Sequence, residues 1–150
     1  INMTDIQAAI GLVELERYDS ETLKRRHEIC MYYNDFFKKD KRFSIPVFRT
    51  KDKTSCYHLY MLSINNADEE TRNEIITRII DKGVAVNVHF QPLPLLSFYK
   101  NNKYNIKDFP RAYNAYKKEI SLPVYYNLTQ QMLETITDAV IKSVNEVIPE

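Results

Sequence analysis

Glycine occurs only twice in this 150-residue chain, at Gly11 and Gly83, and that scarcity excludes the glycine-rich loops that cradle nucleotide phosphates. Cysteine is as rare. Cys30 and Cys56 stand far apart and match no metal-ligand spacing, so no metal site is expected. Two reduced, partly buried thiols in a reducing, cytoplasmic compartment are expected instead. Tryptophan is absent. No apolar run approaches the roughly 18 residues that a membrane span needs, and the start lacks the basic-then-apolar layout of a signal peptide. An excess of one charge is missing too: 21 basic against 20 acidic residues leave a formal net charge of +1. No overall field then draws in nucleic acid or an anionic membrane. Nor does the chain open on methionine; Ile1-Asn2-Met3 runs straight into a helix signal, which reads as the cut edge of a longer protein.

What is present fits one folded domain carrying an arm. The composition is 44% hydrophobic and 27% charged, ordinary for a globular protein and too apolar for a disordered one. Thr4-Asp5-Ile6-Gln7 has the form of a capping box, so a helix should start at Thr4. Its apolar residues Ile6, Ala8, Ala9, Ile10, Leu12, Val13 and Leu15 surround nearly the whole helix, more than a helix with one wet face would carry. A break near Asp19 and Ser20 is expected, after which Leu23, Cys30, Tyr33 and Phe37 continue at helical spacing to about Lys39, with Lys24, Arg25 and Arg26 outside.

Residues 56–64 alternate as a strand should, with enough aromatics to suit cover on both faces. Asn66, three residues before Glu69, is placed to cap a helix with Ile75, Ile76, Ile79 and Ile80 as its stripe and Gly83 as its stop. Residues 84–90 read as another strand, with Val84, Val86, Val88 and Phe90 on one face and Ala85, Asn87 and His89 on the other. Pro92 and Pro94 end it. A short helix over 109–120 with Pro110 in its first turn, an extended stretch over 121–126 and a last helix capped by Asn127 or Thr129 complete the order. In that last helix Leu133, Ile136, Val140, Val144 and Val147 form one face. The pattern predicts an α/β fold: a small layered domain over residues 41–150, its short, mainly antiparallel sheet packed by helices, preceded by a long N-terminal helical arm over 1–40.

Candidate chemistry is sparse. His27 sits among charged helix residues and reads as a solvated side chain, and His58, beside Tyr57 and Tyr60, reads as structural. His89 is placed differently, ending a strand on its more polar face beside a proline-bounded loop, where site residues concentrate. Composition leaves it open between structure and function. The aromatics, 12% of the chain, are spread over expected core positions rather than interleaved with basic residues, so packing explains them better than base stacking. The basic runs 24–26 and 38–42 read as solvated surface.

Four segments taken together resemble one family. Residues 2–12, Asn2-Met3-Thr4-Asp5-Ile6-Gln7-Ala8-Ala9-Ile10-Gly11-Leu12, resemble the stretch that follows the cofactor domain in DegT/DnrJ-type sugar aminotransferases. Ser55 to Tyr60 resembles that family's first small-domain strand, Asn87-Val88-His89-Phe90 with Pro92-Leu93 its substrate-facing strand and loop, and Ser121-Leu122-Pro123 with Asn127-Leu128-Thr129 its closing strand and last helix. The resemblance implies the C-terminal part of an aspartate-aminotransferase-like enzyme, a homodimer that moves an amino group from glutamate to a keto nucleotide sugar through pyridoxal phosphate. It also implies that the cofactor-bearing lysine, the carboxylate facing the pyridine nitrogen and the stacking aromatic lie in a large domain upstream, so that no catalytic residue belongs to this chain. His89 matches the family's histidine near the sugar and phosphate groups, and Asn87 shares its face. Asn2 stands in for an asparagine that reaches the cofactor phosphate of a neighbouring subunit. Where the family often carries a second histidine after the Pro-Leu pair, this chain has Pro94. The competing reading is a noncatalytic α/β binding or regulatory module sharing only the small-domain fold.

Overall fold

The computed structural model describes residues 2–148; Ile1, at the expected cut edge, lies outside them. Thr4 caps the first helix as its sequence requires. Its Oγ1 accepts the Gln7 N–H at 3.3 Å, and its own N–H donates to Gln7 Oε1 at 3.0 Å. Helix α1 (Asp5–Glu16) follows and then, at the expected break, one π-helical turn (Tyr18–Thr22). The Thr22 N–H reaches back five residues to the Arg17 carbonyl at 3.4 Å, while Arg17 pairs with Glu21 at 2.7 Å. The chain therefore stays helical through the break and continues as α2 (Leu23–Phe37). No residue of α1 is buried, whereas Ile29, Cys30, Tyr33 and Phe37 of α2 are wholly so.

Three antiparallel strands form the sheet in the order β1 (Phe43–Ser44), β2 (Tyr60–Ile64) and β3 (Glu119–Leu122). Tyr60 opposes Leu122 and Ser63 opposes Glu119. Strand β2 starts four residues later than the alternation predicts. Tyr57 adopts φ 53°, in the left-handed region, and gives its N–H to Ser55 Oγ at 3.0 Å, which interrupts an extended run. Cys56 and His58 are accordingly exposed ahead of the strand, where one was expected partly buried and the other mid-strand. Tyr60, Leu62 and Ile64 point into the core while Met61 faces outward, so only one face of β2 is fully covered. The Tyr60 hydroxyl donates to Asn34 Oδ1 at 2.9 Å and the Tyr33 hydroxyl to the Pro123 carbonyl at 3.0 Å. Burial pushes both phenols above their ordinary range, and it pushes the Cys30 thiol up to about 12.

Helix α3 (Glu69–Asp81) is capped by Asp68, whose Oδ1 accepts the Thr71 N–H at 2.8 Å. Asn66, expected in that role, instead turns the chain with φ 63°. Gly83 ends the helix with φ 81°, a conformation that glycine adopts without a Cβ penalty. Beyond it come a 3-10 turn (Leu93–Leu95), α4 (Ser97–Asn101) and α5 (Pro110–Tyr116). Helix α5 stops short of the predicted Ile120 because Glu119 and Ile120 already belong to β3. The last helix, α6 (Gln130–Val147), is capped by Thr129, whose Oγ1 accepts the Met132 N–H at 3.2 Å. Its buried Leu133, Ile136, Val140 and Val144 pack it against α3 and α2, and α3 in turn meets β3. Arg42, predicted to lie in a solvated run, is a staple: it pairs with Asp40 and donates to Asn145 Oδ1 at 2.7 Å and the Ile148 carbonyl at 3.2 Å.

Candidate functional site

Residues 84–90 do not form the predicted strand. Val84 is buried at one end, Phe90 is exposed at the other, and a single bridge ties the segment to the sheet. There the Ser121 N–H donates to the Asn87 carbonyl at 2.7 Å and the Asn87 N–H to the Ser121 carbonyl at 3.3 Å. Continued as an antiparallel ladder, this register would bring His89 opposite Glu119. The next rung is made differently. The His89 N–H goes to Glu119 Oε2 at 3.1 Å, while the Glu119 carbonyl is taken by Arg72 Nη1 at 3.1 Å. A side chain thus replaces a backbone acceptor, and alternation in 84–90 fails to become a strand.

Glu119 is buried, and its other oxygen, Oε1, accepts the Ser121 hydroxyl. Burial raises its carboxyl above the ordinary range; the bonds from Ser121 and His89 and the nearby charges of His89 and Arg72 oppose that rise. Arg72, only 1% exposed, is the largest fully buried side chain among the described residues. A buried cation needs compensation. Its guanidinium has the Glu119 carbonyl and the face of the Tyr116 ring, 4.7 Å from carbon to centroid. Tyr116 and Tyr113 give their hydroxyls to the two oxygens of Glu69, at 2.8 and 3.2 Å, so α3, α5 and β3 meet in one polar cluster behind the 87–89 segment.

In front of that segment lies an open cleft of about 1020 Å³ between residues 83–89, the end of β3 and the first turns of α6. Its wall is apolar, with Val86, Leu122 and Met132 among its side chains, and His58, Asn87 and His89 supply polar groups. The sequence-predicted Asn87 and His89 therefore share one site, joined by His58, which sequence reasoning had set aside as structural. Asn87 is exposed and its Oδ1 accepts the Val88 N–H at 2.8 Å. His89 is half-buried, its ring edge-on to Phe90 with centroids 4.6 Å apart, and its Nδ1 is buried without a hydrogen-bond partner among the described residues. Asn2 lies elsewhere, exposed ahead of α1 and outside this cleft. His27 is exposed and meets Tyr57 edge-on at 4.9 Å.

Glu119, Ser121 and Arg72 were not singled out from sequence, although a signal existed for Arg72. It falls three residues before Ile75 and seven before Ile79, on the helix face that those isoleucines bury. Among the described residues, no group of three or more His, Cys, Asp or Glu could hold a metal ion, and no helix is long and apolar enough to cross a membrane.

This arrangement of arm, three-stranded sheet and helices is that of an aminotransferase domain. The pyridoxal-phosphate form of Spr1654 from Streptococcus pneumoniae, described as a sugar aminotransferase, superposes with a TM-score of 0.92 at 37% identity, over 98% of this chain and 37% of that one. The chain belongs to the DegT/DnrJ/EryC1/StrS aminotransferase family, whose pattern it matches over residues 1–141. Among relatives, the spore coat polysaccharide biosynthesis protein SpsC of Bacillus subtilis is 36% identical over 143 residues, 93% of this chain and 36% of SpsC. The UDP-4-amino-4,6-dideoxy-N-acetyl-beta-L-altrosamine transaminase of Campylobacter jejuni is 29% identical over 97% of this chain and 38% of its own length. The chain thus spans little more than a third of the proteins it matches.

Proposed function

We propose that this chain is the C-terminal portion of a pyridoxal-phosphate-dependent aminotransferase that moves an amino group from glutamate to a keto nucleotide sugar for polysaccharide or glycoconjugate synthesis, and that the chain alone is not catalytic. The observation that carries this reading is the family match over residues 1–141 in a chain that spans only about a third of its relatives. The residues present do not fit the cofactor itself. No lysine or arginine lines the cleft, and no lysine among the described residues is buried. The cofactor, which supplies the electron sink in such enzymes, belongs in this reading to a large domain upstream.

What this chain contributes is a wall of the substrate site. His89 donates to an oxygen of the sugar or phosphate, or carries charge toward it, while the Asn87 amide offers both a donor and an acceptor. The apolar side chains beside them offer the sugar an apolar wall in the same open cleft. In this reading Asn2, exposed at the head of the arm, reaches a cofactor phosphate in a neighbouring subunit of a cytoplasmic homodimer. In this division residues 1–40 are the arm and 41–150 the small domain, onto which α2 docks.

Two measurements test the proposal. The purified 150-residue chain mixed with pyridoxal phosphate should show no cofactor absorbance that borohydride fixes to a lysine; a labelled lysine would refute it. In the full-length enzyme, His89→Ala should lower kcat/KM by roughly 1–3 kcal/mol, the scale of a hydrogen bond to a charged group, and leave the cofactor spectrum unchanged. Unaltered kinetics with a nucleotide sugar would return His89 to a structural role.

A further inference from the structure

We propose that Glu119 is a positioning residue: its buried carboxylate clamps the 87–89 segment to β3 and so fixes where the His89 imidazole points into the cleft. The register of the segment against β3 sets the geometry. Asn87 is tied to Ser121 by two backbone bonds, and two residues along, where a strand would make its next pair, the chain departs from the ladder. Among the described residues the Glu119 side chain bridges the gap, with Oε2 on the His89 N–H at 3.1 Å and Oε1 on the Ser121 hydroxyl. One carboxylate therefore ties the His89 end of the segment to β3, while its other oxygen sits on Ser121, the residue that holds the Asn87 end by backbone bonds.

Arg72 makes this geometry hold. Its Nη1 donates to the Glu119 carbonyl at 3.1 Å, the oxygen that a regular strand would have offered to His89, and holds the β3 backbone there beside α3. The charged groups that face Glu119 are Arg72 from α3 and the His89 imidazole itself; Arg72 lies in turn over Tyr116 of α5. When ionised, the carboxylate accepts from both donors as charge-assisted bonds. When it takes a proton on Oε1, that oxygen can donate to Ser121 Oγ while Oε2 keeps a neutral, weaker bond to His89. The clamp tightens as Glu119 loses its proton, and burial places that loss above the usual carboxylate range. The consequence for substrate rests on the proposed role of His89, but the clamp itself does not.

The test is nuclear magnetic resonance on the 150-residue chain, with no cofactor or sugar present. The His89 amide proton should move downfield in step with the titration of the Glu119 carboxyl carbon. Glu119→Gln should keep the amide protected from exchange, because its oxygen still accepts, yet lose that step. Glu119→Ala should speed exchange of the His89 amide by about tenfold or more, the loss expected for one charge-assisted bond. Equal protection in Glu119→Ala, or a step at the same pH surviving in Glu119→Gln, overturns the clamp. Should Glu119→Ala fail to fold, the Gln variant and the wild-type titration still decide. A clamp that passes while His89→Ala leaves the kinetics of the full-length enzyme untouched would sink the substrate reading and leave the positioning intact.

Discussion

Helices α1 and α2 are two lengths of one nearly continuous helical run, joined by the π-helical turn, yet they live in different surroundings. In α1 the apolar side chains are bare, with Ile6 at 75% and Leu15 at 70% exposure. In α2, a less apolar stretch, four residues are completely enclosed. Apolar content does not account for the contrast; angular distribution does. Ile29, Cys30, Tyr33 and Phe37 fall on one stripe that a single neighbouring layer can cover, while the apolar residues of α1 point in nearly every direction and would need neighbours on several sides. Within these residues α1 finds none, which is the behaviour expected of an arm whose cover is the large domain and partner subunit proposed above.

The contrast between the two helices should show most strongly in global stability. Phe37→Ala in α2 should cost about 3–5 kcal/mol, the range for a buried aromatic truncated in a packed core, whereas Ile10→Ala in α1 should stay within about 0.5 kcal/mol. Urea unfolding of both variants measures it, and a comparable loss for Ile10 would show that α1 is covered within this chain after all.

Association comes next. Contiguous exposed apolar surface drives self-association, so the isolated chain should form dimers or larger species by light scattering, and replacing Ile6, Ile10 and Val13 with serine should return it to a monomer. A monodisperse wild-type monomer whose α1 amides are strongly protected from exchange would contradict both the scattering forecast and the arm reading.

The smallest effect is local. Thr4→Ala removes the capping-box oxygen, worth about 1 kcal/mol to a helix. Because α1 does not hold the core together, that loss should appear as faster amide exchange in the first turn of α1 with the urea midpoint unmoved. A shift of the midpoint would mean that α1 and the core unfold as one unit.

The pH dependence of stability carries a separate signature of Glu119. Its folded pKa lies above the unfolded value, so the native state binds more protons between the two. Stability is then highest below that window and falls as pH rises through it. Glu119→Gln should remove this decline, and a Gln variant that loses stability over the same interval as wild type would assign the decline to another group.

Much of this fold was legible in the residues because the interactions concerned are local. Thr4, Thr129 and Gly83 announce helix ends by chemistry that acts within three or four residues, and the stripe of α6 needs only its own period. The cap of α3 was misplaced by two residues because Asn66 and Asp68 both precede plausible first turns, and only geometry shows which oxygen reaches an amide. Residues 84–90 were misread for a deeper reason. Alternation reports that a segment could be a strand, but whether it becomes one depends on the acceptors its neighbour leaves free. Here Arg72, distant in sequence, bonds the Glu119 carbonyl, and the His89 N–H goes to the Glu119 carboxylate instead. The site was legible in the same uneven way. His89 is singled out by its place beside the prolines and by family resemblance, Asn87 only by sharing its face, and both line the cleft. His58 was undervalued because the strand assigned to it begins two residues later. Glu119 and Ser121 carry no local mark of their place beside the cleft, since their bonds to His89 and Asn87 exist only across a tertiary junction.

Cys30 and Cys56 differ in a way that makes the molecule convenient to label. The Cys30 thiol is enclosed and held protonated, whereas Cys56 is open to solvent two residues from His58 at the cleft. Since the thiolate is the reacting species, a maleimide dye near neutral pH should attach at Cys56 alone. The 150-residue chain would then behave as a single-thiol protein, with a fluorescent reporter two residues from a cleft-lining histidine and no engineered cysteine.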